Sequence, residues 1–155
     1  LMPGYHATGR ETSAYLVRNY VHQISGGVSK WFNYGILTTH RFDRGDATGF
    51  FEYDGSPKPM AIAHAVLSWL LESATFKKLT KPLSDIVCHE FAGKGEHINV
   101  CWATAWGEMR TRTVKTSTFG HPDKVYARDI MGRKIAVGQT LQVGEEPIYV
   151  ISADR

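Results

Sequence analysis

Residues 8–71 set down a helix pattern, a double-glycine stop, an apolar strand pattern, a long polar loop and a second helix pattern. A helix–strand–helix run is one piece of an α/β layer, and it cannot cover both faces of its own strand. Whatever the chain folds into must therefore supply neighbours for that strand. Thr8-Gly9-Arg10-Glu11 fits a capping box, in which hydroxyl and carboxylate satisfy free N–H groups at a helix start. Ala14, Val17, Val21 and Ile24 continue it as an apolar stripe at steps of three and four. Gly26-Gly27 ends it. Residues 28–37 are apolar on both parities near Trp31-Phe32 and Ile36-Leu37, the pattern of a strand covered on two sides. Pro57 and Pro59 then precede a stripe of Ala63, Val66, Leu67, Leu70 and Ala74, a second helix with proline in its first turn.

The second half changes character. Strand patterns are expected at 85–92, 97–105, 109–116, 124–129, 134–137 and 147–152, with turn residues between them. Gly93-Lys94-Gly95-Glu96 suits a hairpin loop. Pairing Ala92 with His97 then places Cys88 opposite Cys101, Val87 opposite Trp102, His89 opposite Val100 and Phe91 opposite Ile98. The last three pairs form the apolar, core-facing side, with His89 its polar exception. The cysteine side includes Glu90 and Asn99 and is expected to be the outer or partly covered face. Directly opposed strand residues are often too far apart for a disulfide, so a bond and two reduced thiols both stay open. Asp129 and Gly132 suit a turn, and Pro147 a strand start or edge. Six such strands favour a small antiparallel β-sandwich.

Gly27-Val28 with Trp31-Phe32-Asn33-Tyr34, then Gly49-Phe50-Phe51 and Asp54-Gly55-Ser56-Pro57-Lys58-Pro59, give the chain a family resemblance. They resemble the C-terminal end of a TIM-barrel glycoside hydrolase of the large clan containing the β-xylosidase-like and cellulase-like enzymes. The resemblance implies a fold that is α/β plus all-β. Residues 1–80 would be the last elements of a (β/α)8 barrel (helix seven, strand eight, helix eight), and residues 81–155 the following β-sandwich. At 155 residues the chain is too short for a whole barrel of roughly 250 residues. Its start at Leu1-Met2-Pro3 suggests a processed, truncated or incomplete product.

The resemblance further implies a retaining glycosidase that cleaves O-glycosidic bonds of a polysaccharide or oligosaccharide. Such enzymes need two carboxyl groups. In this clan the acid/base follows strand four and the nucleophile ends strand seven. The first would lie outside the chain and the second at or just before Leu1. Glu11 is better used as a helix cap and Glu52 in a turn, so no catalytic residue is expected and the chain alone should be inactive. Barrel chemistry sits at the C-terminal ends of the strands. That would place His6, Trp31, Asn33, Tyr34 and His40 as substrate-binding candidates, although Trp31 also suits plain packing.

The seven histidines are scattered with no ligand spacing, so neither a metal nor a cofactor is expected. A net charge of +3 without a clustered basic face argues against nucleic acid as a partner. No apolar run reaches the roughly 18 residues of a membrane helix, so no membrane association is expected. The expected partners are carbohydrate and, because a βα piece exposes apolar faces, either further copies of the chain or the missing barrel portion. A secreted and a cytoplasmic origin both remain open. The rival reading is a non-catalytic carbohydrate-binding or self-association module, with Trp102 and Trp106 as a sugar platform; Trp102 shares the core parity and suits the interior better.

Overall fold

A computed structural model describes residues 9–32, 49–104 and 111–153. Among them are two helices, α1 (Gly9–Ser25) and α2 (Pro59–Leu71). Strands β1 (Thr75–Leu83), β2 (Ile86–Gly93), β3 (Glu96–Ala103) and β4 (Arg112–Lys115) follow. Strands β5 (Val125–Asp129), β6 (Lys134–Ile135), β7 (Thr140–Val143) and β8 (Ile148–Ala153) complete the set. Six strands form an antiparallel sheet in the order β1-β2-β3-β8-β5-β6, and β4 pairs with β7 as a separate ribbon.

The sheet buries both faces. Ala14, Val17 and Val21 of α1 and Ala63, Leu67 and Leu70 of α2 pack on Val87, Phe91, Val100, Trp102, Tyr149 and Ile151. On the other face Cys88, Cys101, Ala127 and Val150 meet Val114 of β4 and Leu141 and Val143 of β7. Cys88 and Cys101 are thus wholly buried while Glu90 keeps partial exposure, so of the outer or partly covered face expected, the covered form holds. Glu90 and Asn99 suggested solvent there, but the ribbon covers that face from a distant part of the sequence.

The end of α1 and the start of α2 each have a local cause. Gly27 takes φ +86°, while the Gly26 N–H donates to the His22 carbonyl at 2.9 Å and the Val28 N–H to that of Gln23 at 3.0 Å. That satisfies the last carbonyls of α1. Pro59 opens α2, where its missing N–H costs nothing.

The β2–β3 register agrees with the expected pairing from Ile86↔Ala103 to Ala92↔His97. The loop is tighter than the four residues expected. Gly93 pairs with Glu96, leaving Lys94 (φ 56°) and Gly95 (φ 75°) as a two-residue turn of left-handed residues. Cys88 and Cys101 are bonded, with Cα atoms 4.1 Å apart. Gly93 also has a steric role. A Cβ there would lie 2.9 Å from the Ala74 Cα, a backbone atom between α2 and β1. Gly93→Ala is expected to destabilise by about 1–3 kcal/mol through this clash. An unchanged thermal midpoint would contradict it.

Two strands went unforeseen, and the described part of the strand expected at 28–37 is not formed. β1 (Thr75–Leu83) carries three lysines and a proline, and β7 (Thr140–Val143) is four residues long. Residues 28–32 form no strand, and Phe32 is 83% exposed. The apolar parities anticipated cover on two faces, but no strand among the described residues pairs with this segment. Residues 33–37 lie outside the described residues.

Candidate functional site

α1 places side chains around two clefts, and α2 joins the second through His64. The first, of about 370 Å³, opens between α1 and the end of β3. Tyr15, Arg18, Asn19 and His22 line it from the helix, opposite Trp102 and Thr104. Positions 15, 18, 19 and 22 share one helix face by their spacing. The Arg18 guanidinium donates to the Glu145 carbonyl at 3.0 Å, tying the cleft wall to the turn before β8.

Behind this cleft lies a buried imidazole. His89 stacks on Trp102 with ring centroids 5.1 Å apart and planes 12° apart. His22 meets both rings edge-on, at 4.8 Å from His89 and 5.2 Å from Trp102. The His89 Nδ1 shares a 2.8 Å hydrogen bond with the Ser25 hydroxyl. Burial, and secondarily the neighbouring His22, pushes the His89 pKa down from 6.5 to about 4. The unfolded chain therefore takes up this proton first as pH falls. Stability conferred by neutral His89 is complete above about pH 6.5 and is lost between about 6.5 and 4. The loss is at most roughly 3 kcal/mol. Urea midpoints across that window should fall with pH, and His89→Phe should remove this part of the slope. An unchanged slope in the variant would contradict the assignment.

The second cleft, of about 240 Å³, is lined by Tyr20, Gln23, Ile24, Lys30, Trp31 and His64. Trp31 packs against Tyr20, with ring centroids 3.3 Å apart, and Tyr20 meets the His64 ring edge-on at 5.2 Å. Phe50 closes on His64 from the other side at 5.1 Å. Trp31 is thus part of an aromatic cluster on the helix pair. His6, Asn33, Tyr34 and His40 lie outside the described residues, as does Trp106.

The two carboxylates weighed from the sequence lie near the helix starts. Glu11 lies in the first turn of α1. Glu52 sits in the turn before α2, 3.8 Å from the Lys58 ammonium, with its backbone N–H bonded to the Ser56 carbonyl. Among the described residues no group of three His, Cys, Asp or Glu could hold a metal, and no helix is long and apolar enough to cross a membrane. Trp102 is buried in the core on its β3 position. The polar stripe lining the first cleft was not singled out from the sequence. Its signal was present at 15, 18, 19 and 22, on a face of α1 other than the apolar stripe.

α2 shows one further feature. Between Pro59 and Leu71 only His64 and Ser68 are polar. The inward face holds Met60, Ala63, Leu67, Leu70 and Leu71. Ile62 and Trp69, on another side, are 44% and 58% exposed. An α-helix apolar around most of its circumference is one that is covered on more than one side.

No family model and no curated protein matches the chain. Solved structures do. One is a family 39 glycoside hydrolase from the gut symbiont Bacteroides cellulosilyticus. It is 25% identical with a TM-score of 0.71, over 94% of this chain and 31% of that one. A family 30 endoxylanase from Clostridium papyrosolvens aligns at 15% identity and a TM-score of 0.52, over 92% of this chain and 39% of its own. A family 30 subfamily 8 xylanase from Clostridium acetobutylicum aligns at 11% identity and 0.58, over 93% and 39%. The two xylanases speak to fold alone. The structural neighbours are therefore glycoside hydrolases, as the resemblance of the sequence implies, and the chain spans between 31% and 39% of their lengths.

Proposed function

We propose that this chain is the C-terminal portion of a retaining glycoside hydrolase acting on O-glycosidic bonds of a polysaccharide or oligosaccharide. Residues 1–80 are its last barrel elements and residues 81–155 its β-sandwich, with β1 carrying the chain from one to the other. The observation that carries this reading is α2, a helix apolar beyond the face it presents to the sheet. Its second apolar side fits the outer layer of a barrel whose other members are elsewhere. The glycoside hydrolase neighbours support the same origin.

On this reading His6, Trp31, Asn33, Tyr34 and His40 contact substrate, and the two catalytic carboxyl groups come from the rest of the enzyme. In a retaining enzyme those groups stand roughly 5–5.5 Å apart. The chain alone is therefore inactive. The complete gene product should cleave O-glycosidic bonds of polysaccharides or oligosaccharides with retention of anomeric configuration, followed by proton NMR, while the 155-residue chain should not. Hydrolysis by the chain alone, or inversion by the complete product, would overturn the reading.

The exposed apolar side also makes the isolated chain self-associate. Native mass measurement should give multiples of 17.3 kDa, shifted toward one copy by Ile62→Ser. A monomer at all concentrations would contradict this.

A further inference from the structure

We propose that the cleft between α1 and β3 is a saccharide-binding site. Four features carry it. The cleft volume, about 370 Å³, lies in the range of small-ligand sites and suits one or two sugar units. Tyr15, an aromatic residue on the helix wall, is 51% exposed rather than packed away. Sugar rings present C–H faces that stack on such rings, and Tyr adds a hydroxyl to bond a sugar hydroxyl.

The remaining lining is rich in groups that bond hydroxyls. Asn19 accepts from the Gln23 amide at 3.2 Å through its Oδ1, and its amide N–H2 has no partner among the described residues. Thr104 adds a hydroxyl, and its own Oγ1 contact to the Asp85 carbonyl is long, at 3.3 Å. His22 stands edge-on to Trp102, exposed on the cleft side. Among the described residues lining the cleft there is no carboxylate to repel or compete with a ligand.

The walls are also preorganised. Arg18 is anchored to the Glu145 carbonyl, and Trp102 is locked by its stack on His89. α1 is fixed at its start by Arg10, which bonds Asp129 at 2.9 Å and Glu146 at 2.5 and 2.6 Å. Side chains held in this way lose little freedom on binding. The choice of a saccharide, rather than another polyol, rests on the glycosidase reading; the existence of a polar, aromatic-edged cleft does not.

The test uses the 155-residue chain, which is expected to be inactive, so binding is read without turnover. Xylotriose, cellotriose and laminaritriose are titrated by NMR, following the backbone amides of 15–22 and 102–104. At least one should bind with micromolar to millimolar affinity. Tyr15→Ala should weaken it about tenfold or more, Asn19→Ala less, and Tyr15→Phe should retain most of it. Lys115→Ala, on the ribbon across the sheet from the cleft, should leave it unchanged. Unaltered thermal midpoints would show that the Tyr15 variants are folded. No binding by any of the three at millimolar concentration would overturn the proposal, as would binding that survives Tyr15→Ala. Binding retained while the complete gene product fails to hydrolyse glycosides would sink the enzyme reading and leave this site standing. Hydrolysis with an empty cleft would do the reverse.

Discussion

Replacing Trp102 with alanine is expected to lower stability by about 3–5 kcal/mol, the usual cost of emptying a large buried aromatic site. Trp102 is among the largest side chains in the layer between sheet and helices. Its removal leaves a cavity that cannot collapse easily, because α1 is held by Arg10 at one end and by its Gly26-Gly27 stop at the other. It also strips the stacking partner from His89, whose Nε2 is already buried without a hydrogen bond. Denaturant unfolding should therefore show a large drop in midpoint with little change in slope. Trp102→Phe should recover part of the loss. If Trp102→Ala left stability intact and abolished only sugar binding, Trp102 would be a platform and its place in the core would be wrong.

Loss of the Cys88–Cys101 disulfide is expected to cost about 3 kcal/mol, the chain-entropy value for a closed loop of this size. The two residues are 13 apart in sequence and both lie within the second core. The Cys88→Ala, Cys101→Ala double variant should unfold at lower urea than the oxidised parent, and dithiothreitol should bring the parent down toward the variant. The bond sits where β2 and β3 already pair, so its contribution comes mainly from the unfolded chain. Equal midpoints for oxidised and reduced parent would mean that the thiols are not joined. A bond here suits an oxidising compartment for the enzyme we propose.

The local parts of the fold were legible because local chemistry fixes them. Gly26 and Gly27 mark the end of α1, Pro59 the start of α2, and the Lys94-Gly95 turn sets the whole β2–β3 register. Asp129 does as expected too. Its carboxylate accepts from the backbone N–H groups of Met131 and Arg133, each at 2.9 Å, and Gly132 turns the chain with φ +80°.

What was missed depends on distant partners. β1 is an edge strand whose Lys77, Lys78 and Lys81 are exposed, and charged edges weaken the alternation that marks a strand. Its two register irregularities blur the pattern further. The burial of Cys88 and Cys101 depends on β4 and β7, neither of which neighbours them in sequence. Val28-Ser29-Lys30-Trp31-Phe32 shows the opposite error. Its composition is that of a covered strand, while Val28 and Phe32 are exposed, since the cover is not supplied by the described residues. The polar stripe of the first cleft escaped because Tyr15, Arg18, Asn19 and His22 resemble any solvated helix face until β3 is placed opposite them.

On the proposed reading, α2 and residues 28–32 belong against a β/α layer encoded elsewhere in the same gene. Sequencing the DNA upstream of the Leu1 codon decides this. An open frame should continue through alternating strand and helix patterns, with a glutamate ending the strand just before Leu1. An in-frame stop immediately upstream, or an upstream sequence with no such alternation, would contradict it.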